Sequence, residues 1–219
     1  MIVGTFVVTA GAIAIGVPLG LGVAICLEEF APRSFAAVAK PAIELLAGIP
    51  SVVYGFYGLI VLVPIIRHLF GGTGFGILTA SLVIGVMILP TIISVSQDSI
   101  RAVPREYREG SLALGAAKWQ TVRRVTVPAA SSGILAGVVL GIGRAIGETM
   151  AVIMVIGGAP QVPHALTDMA RTLTANVALE MGYAAGEHRE ALFATGVVLF
   201  IFIITLNLAL QAVRRRGVR

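Results

Sequence analysis

Charge is scarce in this chain: Asp, Glu, Lys and Arg make up 12% of its 219 residues, about half the share of an average soluble domain. Beside a hydrophobic fraction of 57%, that scarcity excludes a water-soluble globule. Cysteine is almost absent, and the single Cys26 excludes an intrachain disulfide. Three histidines, His68, His164 and His188, are scattered and lack cysteine partners, so no metal site is indicated. Neither Lys40 nor Lys118 follows a glycine, which excludes a phosphate-binding G-x-x-x-x-G-K-[ST] loop and hence an ATP site of this kind. Sixteen basic against eleven acidic residues give a net charge of +5. In a membrane chain such an excess belongs in cytoplasmic loops rather than to a nucleic-acid binder.

What is abundant is uncharged apolar sequence. A hydrocarbon core of about 30 Å takes about 20 helical residues to cross. Residues 1–27, 45–66, 68–97 and 191–213 are free of Asp, Glu, Lys and Arg over that length. A fifth stretch, 127–156, is apolar except for Arg144 and Glu148. Those two charges lie within one helix or form a hairpin between two short ones. Arg101, Arg105, Arg108, Lys118, Arg123 and Arg124 crowd the loop 98–124, and Arg214, Arg215, Arg216 and Arg219 crowd the tail. Both belong on the cytoplasmic side, which requires an even number of crossings between them. One helix over 127–156 and another over 191–213 satisfy that requirement. The expectation is an all-α polytopic protein with five transmembrane helices, N-terminus outside, residues 28–44 inside and 157–190 outside. Met1 lacks the positive flank of a secretory signal. An outside N-terminus with no helix before it points to a further helix upstream. The glycines of 71–76 read as a tight outside turn.

Residues 99–128 have a soluble pattern. Pro104, Glu106 and Glu109 suit the start of a helix. Gly115 can stop it, and residues 118–127 resume with Trp119, Val122 and Val125 on one face before Pro128. Gly110, Ser111, Ala113, Gly115, Ala116 and Ala117 leave the first helix thin, open to close approach by another protein, with Trp119 as an anchor. The alternative is an amphipathic helix on the lipid headgroups, which three acids and a mostly alanine face oppose.

Glu109-Gly110-Ser111, then Gly115, then nine residues and Val125-Thr126-Val127-Pro128 resemble the EAA loop of ABC importer permeases, E-A-A-x3-G-x9-I-x-L-P. In that family the loop is the coupling helix that inserts into the ATP-binding subunit. The resemblance therefore implies that Glu109, Gly110, Ser111, Gly115, Trp119 and Pro128 serve coupling.

Arg144 and Glu148 are four residues apart, one face of a continuous helix, and each mid-membrane charge costs about 2.5–3.5 kcal/mol. One reading is a self-neutralising structural pair. The other is an anion site, because arginine's planar donor fork matches tetrahedral oxyanions. Glu148 would then hold Arg144 when no anion is present. Gly133, Gly137, Gly141 and Ala145 offer a small face for a neighbouring helix. Pro50 breaks the second span's hydrogen-bond ladder, freeing carbonyls, with Ser51 and Tyr54 one turn apart beside it.

Gly143-Arg144-Ala145-Ile146-Gly147-Glu148-Thr149-Met150-Ala151 resembles the G-R-A-x-G-E-T-M-A segment of phosphate-importer permease subunits, and Met150-Ala151 favours the PstC type. Gly48-Ile49-Pro50-Ser51-Val52-Val53-Tyr54-Gly55 is similar to that group's G-I-P-S-V-V-Y-G. The resemblance implies a single permease domain over 1–219 with the MetI-like fold, starting where the second of the usual six helices would begin. It implies a multi-pass protein of the bacterial cytoplasmic (inner) membrane. It also implies a substrate path at Arg144, Glu148, Ser51, Tyr54 and Thr149. The implied partners are a PstA-type second permease, two ATP-binding subunits holding ATP and Mg, and an extracytoplasmic phosphate-binding protein; no cofactor, metal or nucleic acid is expected in this chain. Alternatives are a sulfate or molybdate permease, an intramembrane enzyme acting on a lipid phosphate, or a structural assembly subunit.

Overall fold

In the computed structural model, residues 1–216 are described, with side chains through Leu208; the Arg219 end of the basic tail lies outside them. The described residues are almost entirely helical. In chain order the helices are α1 (Ile2–Phe30), α2 (Arg33–Ala47), α3 (Ser51–Phe70) and α4 (Ile77–Arg101). There follow α5 (Arg105–Ala113), α6 (Lys118–Ala129), α7 (Ser131–Gly147), α8 (Met150–Val155), α9 (Leu173–Glu180) and α10 (Glu187–Arg216). Helices α1, α3, α4 and α10 are each long and apolar enough to cross a bilayer, and α6 with α7 qualify as a pair bent by 70°. That makes up to five crossings, the number expected from the charge-free runs.

Three widened π-turns follow one rule. They cover Cys26–Phe30, Gly58–Leu62 and Val122–Thr126, and each ends two residues before a proline, with one residue between: Ala31-Pro32, Val63-Pro64 and Val127-Pro128. In each, the residue before the proline donates its N–H five residues back, to the Cys26, Gly58 or Val122 carbonyl. Proline lacks an N–H and crowds the carbonyl four residues earlier. At Val63-Pro64 and Val127-Pro128 a turn with one extra residue absorbs that disturbance and the helix continues, whereas at Ala31-Pro32 the chain turns extended and α1 ends.

The chain forms two compact units. The first comprises Met1–Gly16, Ile49–Ile88 and Ile142–Leu208; the second comprises Val17–Gly48 and Leu89–Gly141, with the last helix beyond Leu208. Within the first, a Cβ on Gly16 would sit 2.8 Å from the Ile88 side chain, and one on Gly58 would press on Val83 and Val155. Glycine there lets helices approach backbone to side chain, which is how apolar spans associate without a hydrophobic driving force. The segment after α8 folds back on the start of α4: the Ile77 and Leu78 N–H groups donate to the Asp168 and Leu166 carbonyls at 3.1 and 2.7 Å. Within the second unit, Ile100, Val103, Ala130 and Ile134 form one cluster, joined by Leu21 and Ile25, and Ala24, Leu27 and Ile93 form another. Gly133 and Gly137 lie against Ser99 and Val95, so the expected small face of α7 does pack on a neighbouring helix. Helix α4 has 67% of its most apolar stretch buried by this chain, whereas α10 has 6%. Through Leu208 most of α10's apolar side chains, Phe193, Phe200 and Leu208 among them, are exposed, while Leu192 is buried.

Three sequence expectations are corrected. The second span begins at Ser51 rather than Leu45, because α2 ends at Ala47 and Pro50 caps the start of α3 with extended backbone (φ −58°, ψ 140°) instead of kinking a continuous helix. His68 belongs to the last turn of α3, not to the next span. The 127–156 stretch is neither one helix nor a hairpin. It bends at Ala130, runs as α7 to Gly147, breaks at Glu148-Thr149 and resumes as α8.

Candidate functional site

Two sets of residues singled out in the sequence occupy the two units. In the first unit the two segments that carry the phosphate-permease resemblance meet. A Cβ on Gly55 would lie 2.8 Å from the Ala151 Cα and 2.9 Å from the Met154 sulfur, so α3 and α8 pack almost backbone to backbone. One residue before Gly55, the Tyr54 hydroxyl lies within electrostatic range of the Arg144 guanidinium. Ser51 sits one turn earlier, at the start of α3, whose first N–H groups no side chain caps. Ser51, Tyr54, Arg144, Glu148 and Thr149 are all partly buried.

The expected Arg144–Glu148 pair does not form. Helix α7 ends at Gly147, which takes Glu148 off the face that carries Arg144. Its carboxylate instead accepts the Ala151 N–H at 3.1 Å and thereby caps α8. The break is held by two further bonds: the Thr149 hydroxyl donates to the Gly147 carbonyl at 3.2 Å, and the Thr174 hydroxyl to the Glu148 carbonyl at 2.9 Å. Among the described residues, no carboxylate lies within ion-pair distance of Arg144.

A residue that sequence reasoning passed over organises the segment beside this break. Arg171 donates to the Gly158 carbonyl at 2.8 Å, to Asn176 Oδ1 at 3.2 Å and to Glu180 Oε1 at 2.6 Å. The Tyr183 hydroxyl, followed by the Arg171 guanidinium, holds the Glu180 carboxyl below its usual range. The available signal was an arginine at the middle of an acid-leaning loop, the other, Arg189, lying at its end.

In the second unit, α5 and α6 form the helix-turn-helix expected over 99–128. Gly115 adopts φ +84° between them, the left-handed stop its sequence position suggested. The Ser111 and Thr121 hydroxyls bond across the turn at 2.9 Å, and Gln120 accepts the Ala117 N–H at 3.0 Å. Leu114 is 90% exposed and Trp119 57% exposed, and Glu109, Gly110, Gly115 and Pro128 are exposed beside them. A Cβ at Gly110 or Gly115 would meet nothing within 4 Å. The thin, apolar-tipped face is therefore present and uncovered by this unit. Trp119 does not share a face with Val122, which is buried; it leans on Phe30, ring centroids 6.3 Å apart, with Lys118 5.2 Å over the same ring. Arg108 and Arg101 reach back to Glu29 and Glu28.

Residues 16–219 match the family of binding-protein-dependent transport system inner membrane components. The chain belongs to that family and is an ABC importer permease, a multi-pass inner-membrane protein. It is 46% identical to the probable ABC transporter permease protein YqgH of Bacillus subtilis over 94% of its own length and 69% of that protein. It is 40% identical to the phosphate transport system permease protein PstC of Mesorhizobium japonicum over 91% of its length and 68% of that protein. Among solved structures, the MetNI methionine ABC transporter in an inward-facing conformation aligns at a TM-score of 0.73 with 22% identity, covering 99% of this chain and 95% of that one. This shows the MetI-like fold.

Proposed function

We propose that this permease passes inorganic phosphate through a path lined by Arg144, Tyr54 and Ser51, driven by a separate ATPase that engages α5 and α6. The observation that carries the anion path is Arg144, partly buried and beside Tyr54, with no carboxylate within ion-pair reach among the described residues. A phosphate entering this path sheds water and needs replacement donors. The guanidinium fork supplies two parallel N–H groups and stays charged at any relevant pH. The Tyr54 hydroxyl and the uncapped start of α3 add neutral donors, and that helix end favours negative charge. Glu148 contributes by capping α8, which fixes the break just past Arg144. Thr149 fixes the same break from its other side. Relatives named for phosphate transport, at 37–40% identity, support phosphate over sulfate or molybdate.

In this reading the exposed loop, the 28–44 segment and the C-terminus are cytoplasmic. The transporter is completed by a PstA-type permease, two ATP-binding subunits that hold ATP and Mg, and an extracytoplasmic phosphate-binding protein. The chain performs no bond chemistry of its own. Reconstituted with those partners in proteoliposomes, it should take up phosphate on ATP addition. A hundredfold excess of sulfate or molybdate should leave that uptake unchanged; competition by either would assign a different oxyanion.

A further inference from the structure

We infer that the Glu28-Glu29-Phe30 turn at the end of α1 is the positioning element through which the coupling loop moves the spans; this rests on the coupling role of α5 and α6. Three consecutive residues of one π-turn grip both arms of the loop. From the first arm, Arg108 Nε and Nη2 donate to Glu29 Oε1 at 3.0 and 2.9 Å. The same guanidinium donates to the Val103 and Ile100 carbonyls, both at 2.8 Å, and so also caps the end of α4. From the second arm, Lys118 and Trp119 both rest on Phe30. Glu28 meanwhile takes Arg101, the last residue of α4, through two bonds of 3.1 and 2.8 Å.

The burial of these groups separates the clasp from an ordinary surface pair. The side chains of Glu29 and Arg108 are only 9% and 22% exposed. Arg108 places four hydrogen bonds in three directions from one rigid plane. Lysine, with a single point charge, cannot satisfy a carboxylate and two carbonyls in that geometry. An exposed ion pair is worth little and lets its partners slide; a half-buried, forked one fixes distance and angle. A displacement of α5 is thus passed to the ends of α1 and α4 together. The π-turn, closed by the Ala31 N–H on the Cys26 carbonyl, sets the register in which these three side chains meet the loop.

The test uses the whole transporter in proteoliposomes, with inorganic phosphate as the transported probe and phosphate taken up per ATP hydrolysed as the readout. Because the ratio is measured per assembled complex, a reduced yield does not obscure it. Arg108→Lys and Glu29→Gln should each lower the ratio about tenfold, and the double variant no further than either alone, since the two side chains act as one unit. In parallel, a Gly110→Cys variant reports docking by cross-linking to the ATPase subunit, and this cross-link should persist in both single variants. An unaltered ratio in both singles, or losses that multiply in the double, would overturn the positioning role. Absence of the cross-link with Arg108 and Glu29 intact would instead overturn the coupling role on which the inference rests.

Discussion

At the scale of single residues, the separation of Glu148 from Arg144 turns two readings of one charged pair into distinct expectations. Glu148→Gln keeps an oxygen for the Ala151 N–H. It should therefore retain most phosphate uptake, whereas a true ion pair would make it as damaging as Arg144→Gln. Arg144→Lys keeps the charge but loses the fork, and uptake should fall at least tenfold with the complex still assembled; Arg144→Gln should abolish it. Radiolabelled phosphate uptake, normalised to purified complex, checks all three. Near-normal uptake by Arg144→Gln would remove the anion path. Gly55 makes a different demand. A methyl group there lies 2.8 Å from a backbone atom of α8, so the helices themselves must part. Gly55→Ala should cost about 1–3 kcal/mol, the usual range for overpacking, read as a lower melting temperature of the purified complex.

At the scale of elements, what was legible in the sequence depended on whether a local signal set the outcome. Pro104 and Gly115 bound α5 by their own backbone restrictions, and the loop formed as its spacing suggested, although α6 runs through Pro128 to Ala129. Arg144 and Glu148 were misassigned to one helix face because apolar content alone does not reveal that Gly147-Glu148-Thr149 stops a helix inside a span. The three π-turns were legible only in hindsight, each announced by the residue before a proline. The grips of Glu29 on Arg108 and of Arg171 on Glu180 join residues whose partners no periodicity pairs, 79 and nine positions apart. Two predictions belong here. Gly110→Leu meets nothing within its own chain, while any side chain at Gly115 is strained at φ +84°. Gly110→Leu should therefore leave stability unchanged and lower phosphate-stimulated ATP hydrolysis, separating docking from folding; an unaltered ATPase would remove docking from this face. In the segment after α8, Tyr183 and Arg171 depress the Glu180 carboxyl, so its stabilising contribution is full above the ordinary carboxylate range and is lost as pH falls through its lowered value. Protection of the α9 amides, taken relative to intrinsic exchange at each pH, should accordingly hold steady down through the ordinary carboxylate range and fall only below it. In Glu180→Gln that acid-dependent step should vanish.

For the whole molecule, the distribution of charge dictates how the chain threads the bilayer. Of the sixteen basic residues, all but Arg67, Arg144, Arg171 and Arg189 fall in 28–44, 98–124 or the tail. A bias of that kind in short loops sets orientation. The uncertain crossing is the bent pair. Helix α7 has 17 residues, about 25 Å at 1.5 Å per residue, slightly less than the hydrocarbon core of about 30 Å. It completes a crossing only if α6 or the α8 turn supplies the remainder. Were it re-entrant, α5 and the segment after α8 would share a side, and the arginine tail would be exported. Single cysteines in a Cys26→Ser background decide the matter at exposed positions of ordinary backbone. Val38→Cys and Leu114→Cys, 73% and 90% exposed, should react with a membrane-impermeant maleimide only after the cells are opened. Thr73→Cys and Val162→Cys should react in intact cells. Equal labelling of Leu114→Cys and Val162→Cys from one side would show that α7 does not cross, and would place the coupling loop and the segment held by Arg171 on the same face of the membrane.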